Sequence, residues 1–545
     1  MFGRFIAVAA GLATAATLAA APQVQAQAQT QAVPTAASVT SARLTRATVS
    51  RIHWHRCAAA LLRNNGMRCG HLKVPLDYRH PHGRKITLAL TIRKHTSSKK
   101  KYLGPMLVNP GGPGGSGRVY GVMQDWVPDG VGGRFDWIGF DPRGVGASKP
   151  ALHCDTSYFG YDRPDYVPAG KAAVKHWKKV TTKYAKACKH SKAKRLLPYL
   201  TTRDSVRDMN SIRKALGVKK ISFYGFSYGT YLAQVYLTMF PKHAKRFVLD
   251  GVVNPKRVWY GANLDQDKAF DSNMDVYWKW VAAHDSSFHL GTSWTAIKSG
   301  YYAELKKLAA HPAAGGKLGP DELADAMLDA GYYVYGWTDD ANAYAALIND
   351  GNGQPLLNSY TGGNVGAEAE NGYAIYDGVQ CIDEPWPGWV KTLRDSRRVY
   401  KTSPFETWGN TWYNAPCINW PAKSHYRARV HQRAGTPKFL LLSETKDAAT
   451  PYSGALEVRS LFPRARLIAG IGGTTHAASL SGVGCTDNRV ARYLATGKVP
   501  PRKFGRHADV RCPHLKPSEP GSSSRVKALP PLRTTLMQAQ HWSLR

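Results

Sequence analysis

The chain has 545 residues, 43% hydrophobic and 11% aromatic, enough for a large core and for more than one domain or one domain with a big insertion. Its formal net charge is +37, from 74 Lys and Arg against 37 Asp and Glu. The basic residues are dispersed, and the short runs 97–101 and 186–195 lack the interleaved aromatics of a strand-binding surface, which argues against nucleic acid as partner. The charge reads instead as a solvated basic surface, able to adhere weakly to anionic cell-wall polymers or membranes.

At the start, one Arg precedes an apolar, Ala-rich run from Phe5 to Ala21, and Ala26-Gln27-Ala28 has the small-x-small form of a cleavage site. Residues 1–28 are therefore expected to be a secretory signal peptide, with an N-terminal membrane anchor as the alternative, and the mature chain to be extracellular. Residues 29–50, rich in Ala, Thr, Ser and Gln, read as a linker or pro-segment. Eight cysteines follow, in four pairs of sequence neighbours: Cys57/Cys69, Cys154/Cys188, Cys381/Cys417 and Cys485/Cys512. None has zinc spacing, so disulfides are expected and a metal site is not. Sequence does not fix their connectivity; neighbour pairing is only the simplest arrangement.

From residue 51 the pattern becomes that of a folded domain. Over 85–92 large apolar residues alternate with polar or small ones, as in a half-buried strand. Residues 105–108 form a short buried strand that runs into the glycine-rich 109–117, and 135–140 form another before Asp141-Pro142-Arg143-Gly144. Asp141 and Arg143 read as braces for loops rather than as catalytic groups. Val206, Met209, Ile212 and Leu216 have helical spacing, stopped by Gly217. A strand at 220–224, a helix at 231–237 closed by Pro241, and a strand at 246–251 continue the alternation. Alternating strands and helices imply an α/β protein with a mostly parallel central sheet and ligands at the strands' carboxyl ends. Strand rhythm disappears between 254 and 433 and returns at 438–442 and 465–468. We expect a core of residues 51–253 and 434–512, split by a large, mainly helical cap at 254–433 and followed by an irregular basic tail at 513–545.

Gly225-Phe226-Ser227-Tyr228-Gly229 matches G-x-S-x-G, with the strand before and helix after that this motif requires. The glycines allow a strained turn that lifts the hydroxyl out of the sheet, and the helix N-terminus favours developing negative charge beside it. The alternative is an ordinary serine in a glycine-rich corner. Asn109-Pro110-Gly111-Gly112-Pro113-Gly114-Gly115-Ser116-Gly117 follows an earlier strand, where a second oxyanion donor belongs. No phosphate-loop Gly-Lys-Ser/Thr is present there, so Gly112 is the expected donor, with the N–H of Tyr228 as the other. A serine needs a histidine to take its proton and an acid to orient that histidine, in the chain order Ser, acid, His. Asp447 and His476 each lie just past a strand's carboxyl end. Glu444 competes for the acid role; Asp447 is preferred because Thr450-Pro451 forms a turn that could fix it.

The segments "VPLDYRHP", "NPGGPGGSG", "FDPRGVGAS", "FYGFSYGTYLAQVY", "DAATPYSGA" and "THAASL" together resemble a known family. They are similar to those of the secreted α/β-hydrolase peptidases of actinomycete type, the tripeptidyl aminopeptidases related to proline iminopeptidases. The resemblance implies an α/β-hydrolase fold, the triad Ser227, Asp447 and His476, no cofactor, and release of di- or tripeptides from free N-termini. It also implies cap-borne acids that bind the substrate's α-ammonium; in Gln380-Cys381-Ile382-Asp383-Glu384-Pro385 these would be Asp383 or Glu384. The strong positive charge departs from the family and points to acidic substrates or surface retention. The expected function is a monomeric secreted serine aminopeptidase acting on peptides with free N-termini. The alternatives are an esterase or lipase using the same triad, and a non-catalytic surface binding protein.

Overall fold

The structure, a computed structural model, describes residues 51–161 and 163–521. The expected signal peptide, the linker and the tail beyond 521 lie outside the described residues.

The described strands are β1 (His55–Arg56), β2 (Arg68–Pro75), β3 (Lys85–Arg93), β4 (Pro105–Asn109), β5 (Asp136–Phe140), β6 (Ile221–Phe226), β7 (Ala244–Asp250), β8 (Phe439–Glu444), β9 (Ala465–Ile471) and β10 (Val510–Pro513). They form one sheet in the order β1-β2-β3-β5-β4-β6-β7-β8-β9-β10. The pairs among β1, β2, β3 and β5 are antiparallel, and every pair from β5 to β10 is parallel. Strands β4, β5, β6 and β8 are buried at every position. They read as continuous apolar runs because helices cover both faces. Thr202–Ala215, Tyr228–Met239 and Tyr452–Leu461 pack on one face, where Met209, Val235 and Val458 share a core with Leu107 and Phe247. Gly484–Thr496 packs on the other, with Tyr493 and Leu494 against Val108 and Tyr224.

Only helices lie between β7 and β8 among the described residues, from Tyr260–Ala283 to Thr407–Asn414. This is the α/β-hydrolase architecture with a large helical cap. The cap has its own aromatic core, including Met274, Trp278, Tyr301, Met327 and Trp337, and Ala448 and Ala449 from the loop after β8 belong to it. The loop that carries Asp447 is thus packed into the cap.

The helix Lys171–His190 was not expected from sequence. Its buried residues Trp177, Thr181, Tyr184 and Cys188 recur at helical spacing, but the surrounding lysines mask the pattern. Trp177 stacks on Trp412 at 5.5 Å, so this helix, although it precedes β6, packs against the cap. All four cysteine pairs are disulfides between sequence neighbours. No helix among the described residues is long and apolar enough to cross a membrane.

Asp141 and Arg143 do not pair with each other. Ser116 donates to Asp141 at 2.5 Å, tying the glycine loop down, while Arg143 makes a two-point pair with Asp208 at 2.8 Å for each contact.

Candidate active site

Ser227 stands between the end of β6 and the helix Tyr228–Met239 with φ 53° and ψ −124°, a conformation that non-glycine residues rarely occupy. The turn is possible because its neighbours lack side chains. A Cβ on Gly225 would lie 2.6 Å from the Gly229 oxygen, and one on Gly229 would lie 2.7 Å from the Asn109 oxygen. The turn is pinned by Ser227 N donating to Asp250 O at 2.9 Å and by Thr230 Oγ1 donating to Ser227 O at 2.6 Å.

The glycine loop lies over this turn. Gly111 has φ +112°, and a Cβ on it would lie 2.8 Å from Ser227 Cβ and 3.2 Å from Tyr228 N. Asn109 Oδ1 accepts from Gly111 N at 3.1 Å, which sets the start of the loop. Gly112, Ser227 and Tyr228 line a single cavity between sheet and cap.

Asp447 and His476 are in direct contact. His476 Nδ1 lies 2.8 Å from Asp447 Oδ2 and 3.1 Å from Oδ1, and against a carboxylate it is the donor. Thr450 fixes the carboxylate through its N to Oδ1 at 2.9 Å and its Oγ1 to Oδ2 at 2.8 Å. The imidazole is 1% exposed and packs over Gly251 at the end of β7, where a Cβ would lie 2.7 Å from its Cε1. Its Nε2 is buried and without a hydrogen-bond partner. The cap also grips the histidine loop: His476 N donates to Tyr332 O at 2.8 Å, and Val334 N to Thr475 Oγ1 at 2.8 Å. Nothing in the sequence signals these cap contacts.

Two buried acids flank the pair. Burial raises the Asp250 carboxyl to about 6, against the hydrogen bond from Ser479. Burial likewise raises Glu444 to about 8. Glu444, the competing acid, points away from the imidazole into a space left by Gly470 and Gly473.

Asp383 and Glu384 do not line the cavity. Asp383 is buried and accepts from Thr202 N and Oγ1 at 2.8 and 2.5 Å and from Trp259 Nε1 at 3.3 Å, and Thr202 in turn meets the Tyr228 hydroxyl. Glu384 accepts from Arg427 N and Nη1 at 2.9 and 3.1 Å. From the same helix, Ala367–Asp383, it is Tyr376 and Gln380 that reach the cavity. Its acidic lining comes from Asp265, Asp325 and Glu406, on three other parts of the cap. Asp325 is held by Arg163 Nη2 at 2.9 Å, the cation around which Asp321 and Glu322 also gather. Among the described residues, the cluster with metal-like spacing is Asp377 with Cys381 and Cys417. Both cysteines are spent in a disulfide, so the donor set does not fit a metal ion.

Residues 403–512 match a family model described as TAP-like protein. The chain is 38% identical to the tripeptidyl aminopeptidase of Streptomyces lividans, over 88% of this chain and 90% of that one. It is 29% identical to serine protease Hip1 of Mycobacterium tuberculosis, over 80% and 86% of the two chains. It is 31% identical to carboxylesterase B of the same species, over 82% and 88%.

Proposed function

We propose, from the premise that the chain belongs to the tripeptidyl aminopeptidase family and is a serine peptidase, that it releases short peptides from free N-termini through an acyl-enzyme. The observation that carries the reading is the cavity itself, which Ser227 lines together with Asp265, Asp325 and Glu406; Asp265 is paired to Arg257 of the same lining at 2.7 and 2.8 Å. An unblocked peptide N-terminus is a cation, and carboxylates lining the same cavity as the nucleophile favour it.

In this reading Ser227 Oγ attacks the scissile carbonyl and passes its proton to His476 Nε2, the ring nitrogen left without a partner. Asp447 holds the other nitrogen and stabilises the imidazolium. The amides of Gly112 and Tyr228 receive the oxyanion at the start of the helix Tyr228–Met239. His476 then protonates the leaving amine, and water attacks the ester by the reverse route. The four disulfides support an oxidising, extracellular compartment for the working protein.

The test is a tripeptidyl-nitroanilide with free or acetylated N-terminus. The free substrate should turn over and the blocked one should not, and Ser227→Ala should lower kcat by at least about 10⁴-fold. Equal cleavage of both substrates would overturn the aminopeptidase reading. The carboxylesterase B relative favours a second reading, ester hydrolysis by the same groups. It predicts rapid nitrophenyl-ester turnover without peptide cleavage.

A further inference from the structure

A groove of about 660 Å³ opens on the outside of the molecule between the helices Lys171–His190 and Trp389–Tyr400. Its floor is apolar and aromatic, built from Val174, Leu393, Tyr400 and Trp408. Its walls carry Lys171, Lys175 and Lys178 on one side and Arg397 on the other. The three lysines fall at i, i+4 and i+7, which places them on one face of their helix. That helix holds seven lysines and no Asp or Glu over its 20 residues. Lys178 also lies 5.2 Å from the centre of the Trp389 ring, bridging the two helices.

The facing helix adds Lys391, Arg394 and Arg398 around its one acid, Asp395, which is ion-paired to all three. No carboxylate among the described residues is ion-paired to Lys171, Lys175, Lys178 or Arg397. The other acid close to the groove is Asp165, whose charge, after burial, raises the Tyr400 phenol. In the groove lining Val167 is 38% exposed, and Val390, one turn before Leu393 on the facing helix, is 84% exposed. Cations in two rows above an apolar floor, with exposed valines beside them, combine the basic and the apolar features of a membrane-surface site.

The chain's own ends do not fit this groove. Residues 1–50 and 522–545 contain no Asp or Glu, so neither carries side-chain charge to complement it. A polyanion without apolar groups would leave the floor uncovered. We infer that this face docks on an anionic phospholipid bilayer, with lipid phosphates between the lysine and arginine rows and the valines at the acyl boundary. Trp408 belongs to the groove floor while its neighbours Gly409 and Asn410 line the Ser227 cavity, so the bound lipid surface lies one helix away from the chemistry.

The test is co-sedimentation of the full chain with vesicles of phosphatidylcholine alone or mixed with phosphatidylglycerol. The wild type should bind the mixed vesicles and not the neutral ones. Lys171→Glu/Lys175→Glu/Lys178→Glu should weaken that binding by at least about tenfold. A control with the same change in net charge, Lys99→Glu/Lys100→Glu/Lys101→Glu on an exposed turn of the core, should weaken it by less than about threefold. Thermal unfolding checks that both variants fold. Equal losses in the two variants would assign binding to the overall charge and overturn the proposal. Preference for a soluble acidic peptide over vesicles would overturn it in favour of a protein partner.

Discussion

Glu444 is a residue whose protonation state is at odds with its type. It ends β8, is 5% exposed, and its Oε2 is buried without a hydrogen-bond partner. A Cβ on Gly473 would lie 1.5 Å from that oxygen, so the loop carrying His476 is folded around the carboxyl. Burial is the main cause of its rise to about 8, with Asp250 and Asp447 adding to it and the Leu515 N–H opposing it. The folded chain therefore binds this proton more tightly than the unfolded chain does. The stabilisation is complete below the ordinary glutamate range, near pH 4.5, and is lost as pH rises through about 8. By pH 9 the loss is on the order of a few kcal/mol. Glu444→Gln keeps the shape and removes the titration, so its Tm relative to wild type should climb between pH 5 and pH 9. A constant difference across that range would show that Glu444 does not titrate there. Of the two acids weighed in the sequence for the acid role, Asp447 contacts the imidazole and Glu444 lies against Gly470 and Gly473. Thr450 holds Asp447 against the imidazole, while the glycines of the neighbouring loop draw Glu444 the other way.

Between elements, a tight joint at the site is where the glycine loop meets the cap. A Cβ on Gly114 would lie 2.3 Å from the backbone oxygen of Gly372, in the helix Ala367–Asp383, and Gly114 has φ +112°. Gly114→Ala should therefore push the loop away from the cap, lowering stability by about 1–3 kcal/mol. It should lower kcat at least about tenfold, because donors near 3 Å from an oxyanion act only when held in place. Steady-state kinetics separates this from a substrate-binding defect, in which KM would change instead. The same contrast explains what was legible in the sequence. Ser227, Asp447 and His476 each follow a strand end, and strand ends of a parallel sheet share one face whatever the cap does. Asp265, Asp325 and Glu406 sit in three different cap segments, and their convergence depends on how helices cross, which periodicity does not encode. The segment around Gln380 pointed to a cap helix that does reach the cavity, but Asp383 and Glu384 lie beyond its cavity-facing turn. The helix Lys171–His190 was obscured for a different reason: its charge was conspicuous and its buried stripe was not.

At the scale of the whole molecule, sheet and cap are fastened by the chain after β10. His514 Nδ1 meets Ile471 O at 2.8 Å, beside the loop that leads to His476. Leu515 packs into the aromatic core of the cap while its N–H reaches Glu444. Thr338 Oγ1 donates to Ser518 O at 3.3 Å, and Glu519 Oε2 lies 2.9 Å from His284 Nε2. Residues 514–521 thus cross from the sheet edge to two cap helices and pass the histidine loop on the way. The exposed Glu519–His284 pair contributes little on its own, since a surface ion pair is worth about 0–1 kcal/mol. The partial burial of Leu515 and the backbone bonds hold the strap. Ending the chain after Pro513 should lower Tm, because half-burying one leucine is worth about 1 kcal/mol and the strap's hydrogen bonds are lost with it. It should also reduce kcat, by loosening the loop that positions His476. Ending it after Gly521 keeps every one of these contacts, so that variant should retain more of both Tm and kcat than the one ended after Pro513. Hydrogen exchange localises the effect: protection should fall in the helix Trp337–Asp350 in the shorter variant alone. If the chain ended after Pro513 retained full-length Tm and kcat, the strap would be a passive tail, and the cap would be held by its own packing on the Asp447 loop.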